Sequence, residues 1–161
     1  MPIFSRIIFQ AVKWAARRGL SDGGLTSAGE AKRGALKTGV RGETYAYWYL
    51  RRHGYVFVAR NYTPARIKGE LDLVGYDGET LAFVEVRTRT ISNSAGKPLA
   101  ALPELSVTLE KQKMLAQTAR LYLNERHVRE CPCRFDVVAI DNEPGRAPIV
   151  RLHKDAFSPQ M

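Results

Sequence analysis

Helical periodicity opens the chain. Over residues 3–18, Phe4, Ile8, Ala11 and Ala15 recur at helical spacing while Arg6, Lys13 and Arg17 line another stripe, which predicts an amphipathic helix. Residues 19–40, rich in Gly, Ser, Thr and Ala, lose the pattern and read as a linker. Helical spacing returns from Glu43 to His53, with Tyr45, Trp48 and Tyr49 on one face. Gly54 then stands where a left-handed residue ends a helix. Period two takes over next: Tyr55 to Arg60 is a β-rich run closed by Asn61, and Tyr62 to Lys68 is a basic turn. Glu70 to Tyr76 and Glu79 to Thr88 are two strands joined through Asp77-Gly78. Asp-Gly between β-rich runs predicts a type I′ hairpin, whose two central residues both need positive φ. Ile91 to Leu105 reads as a loop containing Gly96-Lys97-Pro98. Ser106 or Thr108 caps a helix running to about Arg126, with Leu115, Ala119, Tyr122 and Leu123 on one face. Arg134 to Ile140 is a continuous, β-branched strand, Asp141 to Arg146 a turn, and Ile149 to Leu152 a short edge strand. The order α-β-β-β-α-β, with a further short strand, predicts an α/β domain whose mixed β-sheet is flanked by helices. We divide the chain into an arm (1–40), a folded domain (41–155) and a C-terminal tail (156–161).

Composition adds little to this picture, but charge adds more. The chain has 161 residues, of which 45% are hydrophobic and 25% charged. That suits one soluble domain with a core needing no disulfides. The net charge is +9, and residues 1–41, with eight basic and two acidic residues, carry +6 of it. A basic arm thus precedes a mildly basic body, and such surfaces attract polyanions, either nucleic acid or anionic lipid. The stretch Ile7 to Val12 falls far short of the roughly 20 apolar residues of a membrane span, so no transmembrane segment is expected. Lys13 interrupts the apolar run that a secretory signal would need. Cys131-Pro-Cys133 lacks the further ligands of a zinc site and reads as two reduced thiols, which places the protein in the cytoplasm.

The chemistry concentrates in residues 69–89. A turn at Asp77-Gly78 puts Tyr76 opposite Glu79, Asp72 opposite Phe83 and Glu70 opposite Glu85. Glu70, Asp72, Phe83, Glu85 and Arg87 then share one face, and Leu71, Leu73, Val84 and Val86 the other. Asp72 and Glu85 become diagonal neighbours, with Cα atoms roughly 7–8 Å apart. Carboxylates gathered in a β-rich core segment need a cation. Either Arg87 neutralises them, or a divalent metal bridges Asp72 and Glu85. Glu70 reads as a salt-bridged strand residue, and Glu43 as an acid in a first helical turn, favourable to the helix dipole whatever else it does. Lys111 and Lys113 read as a solvated helix face. Arg66 and Lys68 are loop charges placed well for steering phosphate.

An acidic residue in a first helix, then Asp, then Glu-x-Lys in a hairpin is the PD-(D/E)xK nuclease motif, which this pattern resembles. More closely, the chain resembles the YraN family, bacterial proteins with a restriction-endonuclease-like fold related to archaeal Holliday-junction resolvases. The residues that carry the resemblance are Arg41-Gly42-Glu43, Gly54-Tyr55, Arg60-Asn61-Tyr62, Gly69-Glu70-Leu71-Asp72-Leu73 and Phe83-Val84-Glu85-Val86-Arg87-Thr88-Arg89. Gly96 with Pro98, Lys111 and Arg134-Phe135-Asp136-Val137-Val138 continue it, so it spans residues 41–140. The resemblance implies that Asp72 and Glu85 ligate Mg²⁺ or Mn²⁺ with the Val86 carbonyl, that Glu43 supports them, and that Arg87 occupies the catalytic Lys position. Arg66, Lys68, Arg89 and Lys111 are the expected nucleic-acid contacts, with DNA ranked ahead of RNA and homodimerisation left open. Two positions depart from the motif. Leu71 replaces a Pro that supplies no chemistry. Arg87 replaces the Lys, and a guanidinium that stays protonated is a poor general base. The expectation is therefore a nucleic-acid-binding protein with weak metal-dependent endonuclease activity, or a non-cleaving module in which Arg87 pairs with a carboxylate. A peripheral membrane or adaptor protein is the third reading, resting on the N-terminal helix alone.

Overall fold

The computed structural model describes residues 42–90, 107–143 and 146–158, together with Gln10. The expected amphipathic helix, the linker, and the loop with Gly96 and Pro98 lie outside the described residues, apart from that one position. Helix α1 covers residues 42–52. Strands β1 (Val56–Tyr62), β2 (Leu71–Asp77) and β3 (Thr80–Thr90) follow, then helix α2 (Leu109–Glu125), β4 (Cys133–Asn142) and β5 (Ile149–Phe157). The strands form one sheet in the order β1-β2-β3-β4-β5. β3 and β4 run parallel because α2 carries the chain back between them, and the other neighbours are antiparallel. The α/β class and the predicted element order stand. Among the described residues no helix is long and apolar enough to cross a membrane.

The two helices cover opposite faces. Tyr45, Ala46 and Leu50 of α1 bury Tyr55, Leu73, Ala82, Val84, Val138 and Ile140 on one side. Leu115, Ala116, Ala119 and Tyr122 of α2 bury Val74, Leu81, Phe83, Phe135 and Val137 on the other. Double coverage explains why β3 and β4 read as continuous apolar runs where a half-exposed strand would alternate. Two glycines let the helices approach. A Cβ on Gly42 would lie 1.9 Å from Oγ1 of Thr88, and one on Gly69 would lie 2.2 Å from Oγ1 of Thr118. Gly69 thus admits α2 against the chain entering β2, and Gly42 seats the start of α1 on β3.

Several boundaries differ from expectation. The hairpin turn is Gly78-Glu79, because Asp77 pairs with Thr80. Gly78 alone takes the left-handed conformation (φ 63°), as a type II′ turn requires of its first central residue. Asp77 is unavailable to the turn because its carboxylate is held by Arg134 and Lys154. Asp72, Phe83 and Glu85 keep one face and Leu73 and Val84 the other through this two-residue change, whereas Leu71 does not keep its assigned face; continuing the register sets Asp72 directly opposite Glu85. Neither face of the hairpin is purely chemical: Val74, Leu81 and Phe83, on the side of Asp72, are core, and Leu71 joins them. Gly54 is left-handed at φ 95°, as expected. β4 continues through Asp141 and Asn142, both buried, where a turn was expected. β5 runs to Phe157, so the stretch expected as a tail begins inside the sheet. Its charged sequence conceals a strand that is pinned by Phe157 stacking on Phe135 at 4.9 Å.

A buried ionic network locks the α1 side. Asp136, with no exposed surface, accepts hydrogen bonds from Tyr55 Oη (2.8 Å), Arg134 Nε (2.8 Å) and the Asp155 backbone N–H (2.9 Å). Burial and the hydrogen bond to Asp136 keep the Tyr55 hydroxyl protonated well above the usual phenol range.

Candidate functional site

The hairpin, α1 and α2 meet at one end of the sheet. Asp72 of β2 and Glu85 of β3 project from the α2 face there. Asp72 Oδ2 accepts the backbone N–H of Val86 at 2.7 Å. Glu85 is 6% exposed. Its Oε1 lies 3.2 Å from Arg87 Nε, and its Oε2 lies 3.1 Å from Lys111 Nζ. These are contacts of charge without hydrogen-bond geometry: Glu85 Oε2 and Arg87 Nε are both buried and make no hydrogen bond. Burial, then the charge of Glu85, pushes the Asp72 carboxyl up to about 7, with Glu43 adding to the effect. Val86 N–H and Lys111 oppose that rise.

Lys111 reaches Glu85 because Thr108 fixes where α2 begins. The Thr108 hydroxyl accepts the Lys111 backbone N–H, and Lys111 falls in the first helical turn. A cation there works against the helix dipole, and Glu85 compensates it. The helix face read as solvated is, at Lys111, part of the site. Glu43 stands at the start of α1 and accepts Asn61 Nδ2 at 2.8 Å. Among the described residues, no group of three or more His, Cys, Asp or Glu side chains gathers at metal-binding distance. The paired carboxylates that could hold a cation are Asp72 and Glu85, to which the resemblance to the nuclease motif adds the Val86 carbonyl. This set suits Mg²⁺ or Mn²⁺, since such an ion takes one or two carboxylates and completes its shell with water. The buried Oε2 of Glu85 makes no hydrogen bond and is met only by the charge of Lys111, 3.1 Å away.

Arg66 and Lys68 are exposed in the connection between β1 and β2 and take no part in the Glu85 ion pairs. Glu70, expected on the face of Asp72, is an exposed residue just before β2. Arg89 is turned to Asp141, which also holds Arg151. Neither Asp141 nor Arg151 was expected to matter. Continuing the alternation of Val137 and Ala139 by two residues would have placed Asp141 on the site's face, had β4 been read to its full length. A cleft lined by Val58, Tyr76, Leu81, Tyr122 and Val128 opens at the turn end of that face, away from the carboxylates.

The profile of the uncharacterised protein family UPF0102 matches residues 42–140, a span that runs from the start of α1 into β4 and contains Glu43, Asp72 and Glu85. A UPF0102 protein of Koribacter versatilis is 40% identical over 122 residues, covering 76% of this chain and 80% of the relative. One from Chlorobium limicola is 41% identical over 124 residues, covering 74% and 90%. One from Pseudomonas syringae is 40% identical over 122 residues, covering 75% and 93%.

Proposed function

The chain belongs to the uncharacterised protein family UPF0102, the YraN family, and from the chemistry of its own site we propose that it binds nucleic acid and hydrolyses phosphodiester bonds with Mg²⁺ or Mn²⁺. DNA is the preferred substrate in this reading, and the free thiols of Cys131 and Cys133 suit a reducing, cytoplasmic setting. The observation that carries it is the convergence of Asp72 and Glu85 on one face, with a buried oxygen of Glu85 lacking a hydrogen bond and Asp72 pushed up to about 7. That accumulation of negative charge is what a divalent cation relieves.

Asp72 and Glu85 would hold the ion, with Val86 contributing its carbonyl. When bound, the ion supplies Lewis acidity toward a phosphoryl oxygen and makes a water molecule more acidic. The rest falls to side chains. Arg87 remains protonated and stabilises negative charge on the phosphoryl group. Lys111, with three N–H donors, orients water or phosphate beside Glu85, from a helix where the motif's Lys would stand on the strand. Glu43 adds negative potential from α1.

A second reading is non-cleaving nucleic-acid binding. It is favoured by the two cations already within 3.2 Å and 3.1 Å of Glu85, which neutralise it without a metal. Nicking assays over duplex, branched and single-stranded DNA and RNA separate the two. The proposal expects slow, Mg²⁺- or Mn²⁺-dependent cleavage that Asp72→Ala abolishes while binding persists. Arg87→Lys should increase the rate, because the lysine frees Glu85 from a fixed guanidinium. Binding without cleavage by either the parent or Arg87→Lys supports the second reading.

A further inference from the structure

Helix α2 turns two unlike faces to its surroundings. Leu115, Ala116, Ala119 and Tyr122 bury one against the sheet. At helical spacing on the other stand Lys113, Gln117, Arg120 and Asn124, all exposed. This outward stripe holds two cations, two amides and no carboxylate. Glu110 and Glu125 stand near the two ends of the helix, and Glu125 is engaged by the Tyr62 hydroxyl at 2.7 Å. On the flank of α2, Gly69 sits against Met114 and Thr118, and just before it the chain exposes Arg66 and Lys68. The stripe and this connection thus adjoin, and Asp72 follows Gly69 by three residues.

Many cations of the fold are matched by acids. Glu85 takes Arg87 and Lys111, Asp141 takes Arg89 and Arg151, and Asp77 takes Arg134 and Lys154. Among the described residues, Lys113, Arg120, Arg66 and Lys68 engage no carboxylate and make no side-chain hydrogen bond. Four uncompensated cations on one side of the molecule repel one another, and a polyanion relieves that repulsion. The stripe carries no aromatic side chain, so it offers no platform on which single-stranded bases stack. Leu109 is the one large apolar residue of α2 that is exposed, too little for the apolar face with which a helix enters a lipid surface. Lys113 and Arg120 are two turns apart, about 10.5 Å along a straight helix axis, which is about three base-pair steps of duplex.

We propose that the outward stripe of α2, together with Arg66 and Lys68, is the track on which the backbone of a nucleic-acid duplex docks and is led toward the Asp72–Glu85 site. This deepens, and rests on, the nucleic-acid reading above, and it separates the surface that holds the duplex from the residues that act on it. Lys113, which the sequence offers as part of a solvated face, becomes a phosphate contact. Gln117 and Asn124 add neutral donors that fix the register without reading bases.

The test uses the full chain without divalent ions, so that binding is read apart from cleavage, and a labelled DNA duplex over a salt series. Arg120→Gln and Lys113→Gln should each weaken binding about five- to tenfold at about 0.1 M salt, and reduce the slope of log affinity against log salt by about 0.9, the value of one phosphate contact. Arg51→Gln removes another exposed cation from α1, which covers the opposite face of the sheet, and should change neither. Gln117→Arg adds a cation to the middle of the stripe and should tighten binding and steepen the slope by a similar amount, a gain that loss of folding cannot mimic. Parental affinity and slope in both Arg120→Gln and Lys113→Gln, or an equal change in Arg51→Gln, would overturn the track and leave the nucleic-acid reading intact. Tighter binding of a single strand of the same sequence, equally sensitive to Arg120→Gln, would overturn the duplex assignment. Binding to anionic phospholipid vesicles that Arg120→Gln abolishes, with duplex binding unmoved, would assign the stripe to a lipid surface instead. No binding of duplex or single strand by the parent at low salt would overturn both the track and the nucleic-acid reading.

Discussion

Asp72 concentrates the physical tension of this fold in one side chain. Its carboxyl is pushed from 3.8 to about 7, burial being the larger cause and Glu85 the next. Between those values the unfolded chain has released the proton that the folded chain still holds. Stability attributable to Asp72 therefore falls as pH rises through that window and levels off above it, by at most about 4 kcal/mol. Asp77 and Asp141, held below the ordinary range by their cations, act in the opposite sense and lose their contribution as pH falls through the acid range. Comparing the parent with Asp72→Asn isolates the first effect. We expect the variant to match the parent near pH 4 and to be more stable by about 1–4 kcal/mol at pH 8, measured by urea denaturation at each pH. A constant difference across that range would contradict the account. The sequence made this pair legible, because strand alternation alone puts Asp72 and Glu85 on one face. It did not reveal Lys111 as their neighbour, because that contact depends on where Thr108 starts α2 and how closely Gly69 lets the helix approach.

At the scale of elements, strand runs were readable wherever burial imposed a pattern, and strand ends were not. β3 and β4 announced themselves through continuous apolar residues. The first half of β5, Ile149 to Leu152, was readable, but its continuation hid behind His153, Lys154 and Asp155, since an edge strand with one wet side can carry charges that read as loop. The turn was displaced because Asp77 has a tertiary partner, Arg134, that no local rule supplies. The network joining these strands carries its own prediction. Asp136 is fully buried and accepts from Tyr55, Arg134 and the backbone of Asp155. Asp136→Ala would remove the acceptor of the Tyr55 hydroxyl and of Arg134 Nε, leaving the guanidinium only its contacts with Asp77 and the Tyr55 oxygen. The expected loss is about 3–5 kcal/mol, the usual cost of removing one partner from a buried pair. The midpoint of urea denaturation measures it, and a loss below about 1 kcal/mol would show that the network relaxes onto water.

Across the whole molecule, the two faces of the sheet divide the work. The α1 side is closed by core and by the satisfied Asp136 network. At the end where β3 passes beyond α2, the other side presents Asp72, Glu85, Arg87, Lys111, Arg89 and Arg151 together. In the proposed nucleic-acid reading a net charge of +9 steers polyanions toward the protein at long range, and these particular side chains determine what they meet. The α/β class and helix–strand order were legible from residues 42–158 because two helices and a sheet impose distinct periodicities. The grouping of Arg89, Asp141 and Arg151 was not, because it is assembled across three strands whose order the sequence does not print. The account turns on Asp72 and Glu85 forming a seat for a divalent ion, and calorimetric titration of the full chain with Mn²⁺ tests it most directly. One ion per chain, lost in Asp72→Ala and retained in Arg87→Lys, is the predicted result. No Mn²⁺ binding by either the parent or Arg87→Lys, or binding that Asp72→Ala leaves unchanged, would contradict it.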